Sequence, residues 1–253
     1  MVAGALLVVL FGSLTAALIA MAADKPESVP AALKPTAFLP MLQMTEAPKP
    51  QNPLRSGKAT YYAATGSGNC SFDPSPNDLM VAAISHEDYA VAAYCGAYVE
   101  VFGPSGSVVV RIVDKCPDAQ CTTGHLDLSR QAFAKIAPLE RGIVPITWRV
   151  VSPTLSGPIA YHFKEGSNQW WTAVQIRNHR NPIVRLEWRN AAGAWVAAER
   201  TDYNYFVQTN PGMGPGPYTF RVTDSYGNIV EDRGIAFREN GTVTGAAQFP
   251  AGP

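Results

Sequence analysis

The sequence predicts a mainly β protein of two domains: a small barrel or sandwich carrying one short helix, then an all-β sandwich of immunoglobulin-like type. Three observations carry this. Between Ser56 and Ser152, short runs rich in Val, Ala and Tyr recur roughly every ten residues, with Gly, Pro and Asn turns between them. In that stretch a helical period is confined to Arg130 to Ala137. Beyond Pro158, about seven or eight strand-like runs follow one another with no helical period at all.

The chain has 253 residues, 47% of them hydrophobic and 16% charged, enough apolar material for one large domain or two of about 100 residues. Lys plus Arg number 20 and Asp plus Glu number 20, and neither sign is clustered. Phosphate contacts need clustered Lys and Arg, so nucleic acid is excluded as the main partner and a neutral ligand is favoured. Residues 2–23 carry no charge, and Ala20 and Ala22 form an A-x-A pattern just before Asp24. A secretory signal peptide over residues 1–23 is the expectation, with an uncleaved anchor as the alternative. Either way the rest of the chain is extracellular, and a secreted monomer is expected. Prolines at 26, 30, 35, 40, 48, 50 and 53 make residues 24–55 a disordered, semi-extended linker. The four cysteines lie between Cys70 and Cys121 and suit two disulfides in an oxidising compartment, with three pairings open.

The first domain covers residues 56–152. Ala59, Tyr61 and Ala63 alternate with Thr60 and Tyr62 in a short strand, and TGSGN at 65–69 is a flexible loop. DLMVAAIS and AVAAYCGAYVEVFG are β-type runs; GPSG at 103–106 turns the chain into VVVRIVD, a strand ending on Asp114. Ser129 is placed to N-cap the helix, Phe133, Ile136 and Ala137 form its buried side, and Pro138 stops it. The second domain, residues 153–253, opens with a Pro, Ser and Gly joint and has no cysteine.

Glycoside chemistry needs two carboxyl groups about the scissile bond, one protonated and one ionised. Asp114 and Asp127 suit such a pair. The apolar frame HLDLS is expected to bury Asp127 in part, which would raise its pKa. Structural roles are the alternative: Asp127 or Ser129 caps the helix, and Asp114 tethers the 115–124 loop. His125 shares a strand face with Asp127 and can tune it; His86, His162 and His179 have no partners at metal spacing and receive no role, so no metal or cofactor is expected. Trp148, Trp188 and Trp195 are expected in the core or between domains.

TYY with GxGNCSF, YCGAYVEV, GPxGxVxVRIVDKCP and above all HLDLSxxAFAKIAPLExGIVPITWRVV resemble the barrel domain of microbial expansins. YHFKEGSNQWWTAVQIRNHRNPI and TDYNYFV resemble that family's second domain. The resemblance covers about residues 56 to 250. It implies a six-stranded double-psi β-barrel followed by a family 63 carbohydrate-binding module of immunoglobulin-like fold. It also implies a wall-loosening site of Thr60, Asp114 and Asp127, and an aromatic platform of Trp170, Trp171 and Tyr203 with Lys164 beside it. Adjacent Trp residues in a strand point to opposite faces, so the platform needs a bulge or loop at 168–170. Microbial members carry an aromatic two positions after the strand-end Asp, where this chain has Cys116; Tyr62 and Lys115 are possible replacements. Cys116 with Cys121 and Cys70 with Cys95 are the pairings the resemblance implies.

Barrel-sharing glycosidases of family 45 place a catalytic Asp soon after the first-strand Thr. Here residues 59–69 hold no carboxylate, and the next is Asp73. Without a base to activate water, the inverting route lacks half its apparatus. The resemblance therefore implies non-hydrolytic loosening of cellulose or another wall glucan. A glycanase or lytic transglycosylase acting on peptidoglycan with Asp127 as acid is the first alternative, and a pure carbohydrate-binding protein the second.

Overall fold

The computed structural model describes residues 52–253; the expected signal peptide and most of the linker, residues 1–51, lie outside it. Six strands close into a barrel: β1 (Arg55–Tyr62), β2 (Val81–Ser85), β3 (Tyr98–Gly103), β4 (Gly106–Cys116), β5 (Leu126–Ser129) and β6 (Val144–Val151). Their order is β1-β5-β2-β4-β3-β6, with β1/β5 and β2/β4 parallel and the other pairs antiparallel. This is the double-psi arrangement. Alternation decides what fills the barrel: Ala59, Val99, Val101, Val110, Ile112, Leu126, Leu128 and Trp148 are fully buried in one cluster.

The helix α1 (Arg130–Ile136) closes one end of the barrel. The Ser129 hydroxyl accepts from the Ala132 amide at 3.0 Å, the N-cap bond its sequence position requires. Phe133, fully buried, meets the Tyr61 ring at 4.9 Å, and the Arg130 guanidinium also lies over that ring at 4.9 Å. The helix thus anchors β1 one residue from Thr60.

Three local expectations are corrected. Arg55, assigned to the linker, opens β1: its guanidinium bonds the Asp88 carboxylate at 3.0 Å and lies 5.1 Å over Trp148. AVAAYC is not a strand. Ser85 accepts from the Tyr89 amide at 2.9 Å, Ala90, Val91 and Ala92 take left-handed backbone, and Cys95 is bonded to Cys70, so the chain coils against the barrel. Nor does β4 end on Asp114: its parallel ladder with β2 continues through Ser85 and Cys116, carrying the strand two residues further.

Nine strands build the second domain, in sheets of order β10-β9-β13-β14 and β11-β12-β8-β7-β15. In the second sheet these are β11 (Glu199–Arg200), β12 (Phe206–Thr209), β8 (Trp171–Arg177), β7 (Ala160–Phe163) and β15 (Thr242–Thr244); the first holds β9 (Ile183–Arg189), β10 (Trp195–Ala197), β13 (Tyr218–Asp224) and β14 (Ile229–Ile235). Tyr161, Phe163, Val174, Phe206 and Phe220 interdigitate between the sheets without a disulfide, an immunoglobulin-like sandwich core. Of the tryptophans expected inside, Trp148 and Trp188 are buried, whereas Trp195 is half-buried under the Arg221 guanidinium at 4.1 Å.

The domains join through backbone acceptors. The Cys70 carbonyl takes hydrogen bonds from the Gln175 and Asn204 amides at 2.9 and 3.1 Å. The Asp202 carbonyl accepts from Tyr89 Oη at 2.6 Å and from Asn69 Nδ2 at 3.0 Å, and Arg177 pairs with Asp73 at 2.6 Å. Phe133→Ala, which empties the space between helix and β1, is expected to cost about 3–5 kcal/mol. Urea unfolding followed by fluorescence checks it.

Candidate functional site

Four strands from distant parts of the sequence place four residues in one row. Thr60 on β1 is opposite Asp127 on β5, Asp127 opposite Ala83 on β2, and Ala83 opposite Asp114 on β4. Residues in register across a sheet project to the same face, so the hydroxyl and both carboxyls share one surface with the small Ala83 between them. Two strand spacings, roughly 9–10 Å, separate the backbones of Asp127 and Asp114.

Thr60 Oγ1 donates to Asp127 Oδ1 at 2.6 Å and lies 2.9 Å from His125 Nε2. Burial raises the pKa of Asp127 above the usual carboxylate range; the Thr60 bond and the nearby His125 oppose this, and the charges of Asp118 and Asp114 add to it. Burial lowers the pKa of His125, so the imidazole is neutral near pH 7. The Thr60 hydroxyl serves both states of the acid. It donates to an ionised Asp127, and it accepts from a protonated Asp127 while turning its own proton to His125.

Asp114 is differently employed. Its Oδ1 accepts from the backbone amides of Asn69 and Lys115 at 2.7 and 2.8 Å, holding the GSGN loop down over the groove. Gly68 has to be glycine for this: a Cβ there would lie 2.2 Å from the Asp114 carboxyl carbon. Asp114 therefore does tether a loop, but it is the 66–69 loop and not the 115–124 loop the sequence suggested, and it still faces the groove.

Cys70 is bonded to Cys95 and Cys116 to Cys121. The Cys116–Cys121 bridge packs with Tyr62 against Ala83, so sulfur and a tyrosine ring line the groove floor. The Tyr62 hydroxyl is buried without a partner among the described residues, and burial beside two carboxylates raises its pKa strongly. Lys115 is no groove residue. It alternates to the other side of β4, where its ammonium lies 5.2 Å over the Tyr89 ring. Asp118 escaped the sequence analysis; the loop closed by Cys116 and Cys121 brings it near enough to act on Asp127. The paired cysteines were the available signal, since they force the intervening residues back over β4.

On the sandwich, Asn168 Oδ1 accepts from the Trp170 and Trp171 amides at 2.9 and 3.1 Å. Trp170 lies in this turn and β8 begins at Trp171, so the Trp170 indole is free of strand alternation. Trp170 is 66% exposed; Trp171, Tyr203 and Lys164 are half-buried. Val174 and Ile176 face the core, so Trp171, Ala173, Gln175 and Arg177 face outward, the face against which Cys70 rests. Asn69, held by Asp114, in turn holds Asp202, the neighbour of Tyr203. Barrel groove and sandwich face are thereby linked by one short run of hydrogen bonds.

The chain thus joins a double-psi barrel with a carboxyl-lined groove to an immunoglobulin-like module that exposes the Trp170 indole. Residues 55–148 match the family model described as lytic transglycolase. The chain is 38% identical over 231 residues to Expansin-YoaJ of Bacillus subtilis, covering 85% of this chain and 97% of that protein. Solved structures of the Clavibacter michiganensis expansin, one with cellohexaose and one without ligand, match with a TM-score of 0.71 at 36% identity, over 78% of this chain and 98% of theirs. Over 105 residues the chain is also 41% identical to a papain inhibitor of Streptomyces mobaraensis, covering 38% of this chain and 71% of that protein. The chain belongs to the expansin family, among its microbial members.

The raised pKa of Asp127 has a consequence for stability. Folding favours its protonated form, so its contribution is most favourable below the unfolded value and is lost as pH rises through the folded one. Asp127→Asn, uncharged at every pH, is expected to be more stable than wild type near pH 7, and the gain should vanish as pH falls below about 4. Paired urea titrations across that range measure it.

Proposed function

We propose that this protein is secreted, lies along a cellulose or other neutral wall glucan chain, and loosens the wall by disrupting noncovalent glycan contacts without hydrolysis. The observation that carries this is a carboxyl favoured in its neutral form and hydrogen-bonded to Thr60, with no carboxylate on the first strand or its loop to act as base. The next carboxylate along the chain, Asp73, is paired to Arg177 of the sandwich. A protonated carboxyl donates a strong hydrogen bond to a glycosidic or hydroxyl oxygen, competing with the bonds between glycan chains. Asp114 and Thr60 orient the groove and bind sugar hydroxyls. Trp170, Trp171 and Tyr203 stack on the apolar faces of glucose units, with Lys164 beside them. The cellohexaose complex of the Clavibacter relative supports a glucan as the ligand.

A second activity, glycan cleavage, has one observation in its favour. Asp127 and Asp114 stand two strands apart on one face of the barrel, so two carboxyls flank the groove, as glycan cleavage requires. Asp118 is a further carboxylate beside Asp127. The two readings part in a single set of assays. Asp127→Asn is expected to abolish wall creep or weakening while cellulose binding is retained, and Trp170→Ala or Trp171→Ala to lower cellulose binding about tenfold or more. Release of reducing ends from cellulose, or of anhydromuropeptides from peptidoglycan, that is lost in Asp127→Asn would replace loosening by cleavage. Creep that survives the Asn substitution removes Asp127 from the mechanism.

A further inference from the structure

Each neighbouring charge that acts on His179 is positive. This imidazole, 3% exposed, sits on the sandwich side of the joint with Nδ1 hydrogen-bonded to the Asn181 carbonyl at 2.7 Å. Its Nε2 faces Gly96 of the barrel, where a Cβ would lie 2.4 Å away and the backbone has a φ of +78°, so glycine is required on both counts. Beside it Arg111 of β4 lies over the Phe72 ring at 4.9 Å. Arg111 Nε is buried with no hydrogen-bond partner, and among the described residues no carboxylate is within ion-pair reach of the guanidinium. Arg200 approaches from the sandwich, also with a buried, unpartnered Nε, and burial lowers its pKa to about 10. Between the domains lies a cavity of about 140 Å³ lined by Phe72, Gly96, Tyr98, Arg111, Asn178 and His179.

Buried cations are ordinarily paired, because desolvating them is costly. Here the Arg111 guanidinium and the His179 imidazole line a space large enough for a small ion and water with no carboxylate among the lining residues, while Arg200, whose Nη1 donates to the Ile183 carbonyl at 2.7 Å, adds a second positive charge nearby. We propose that this cavity binds one small oxyanion, a carboxylate, phosphate or sulfate, in the fork of the Arg111 guanidinium. That fork presents parallel N–H donors that match two oxygens of such a group. Arg111 belongs to the barrel and His179 to the sandwich, so the ion bridges the domains and stabilises their joint by mass action. Neutral His179 offers a bare Nε2; an anion beside it favours protonation, after which both ring nitrogens donate. The other groups facing His179 are Arg111 and Arg200, both cationic, and neutral Tyr98 and Asn178, with the exposed Asp78 acting on Tyr98. Binding therefore strengthens as pH falls. The inference is independent of what the Asp127 groove does to a glycan.

The test titrates the wild-type chain with sodium phosphate, sodium sulfate or galacturonate at constant ionic strength, following the His179 ring resonances by NMR and thermal unfolding in parallel. The expected result is a saturable shift of the His179 signals and a saturable rise in Tm, both developed at lower ligand concentration at about pH 5.5 than at about pH 7.5. Arg111→Gln should weaken the response at least about tenfold, while Arg141→Gln, on an exposed turn, should leave it unchanged. A response to phosphate and sulfate alone supports a free inorganic ion; one to galacturonate supports the uronate of an acidic polysaccharide. No saturable change at His179 in the wild-type protein, or an equal change in Arg111→Gln, overturns the proposal. If Arg111→Gln fails to fold, the wild-type NMR titration decides alone.

Discussion

Strand register holds the barrel site together. Thr60, Asp127, Ala83 and Asp114 meet only because three ladders, two parallel and one antiparallel, are each in step. A slip of one residue in any of them would turn its member to the opposite face and break the row. Barrel closure resists this, since every strand is paired on both sides. The helix adds a further constraint: Phe133 packed on Tyr61 fixes β1 beside Thr60.

The same register reaches the second domain through one loop. Asp114 holds Asn69, Asn69 holds Asp202, and the next residue, Cys70, carries the carbonyl that accepts from Gln175 and Asn204. Cys70 is itself held to Cys95. A loop that reads as a flexible connector is therefore the hinge pin between groove and platform, fixed by a half-buried contact to Asp114 at one end and buried contacts to the Cys70 carbonyl at the other. Such contacts are costly to break, because each opened acceptor loses its partner in a site water enters poorly.

Electrostatically the two regions are opposites. In the groove, burial and neighbouring carboxylates raise the pKa of Asp127; at the joint, burial and neighbouring guanidiniums lower that of His179. A formal net charge of zero conceals both, since it averages over a chain whose local environments differ by sign.

Short-range physics was legible in the sequence. Alternation marked the strands, Ser129 and Pro138 bounded the helix, Asn168 lay where the tryptophan pair needed a turn, and HLDLS framed Asp127 for burial. Each depends on residues within a few positions of one another. Where the signal was local but the competing force was not, it misled: AVAAYC has strand composition, yet the bridge to Cys70 and the Ser85 turn coil it. Lys115 has a position beside Asp114 in sequence and the opposite side of the strand in space. Only the tertiary structure decided that Asp114 tethers the 66–69 loop, that Asp118 comes back toward Asp127, and that Arg111 and His179, far apart in sequence, line one cavity with no carboxylate in its wall. These depend on distances set by closure and docking, which periodicity along the chain does not encode.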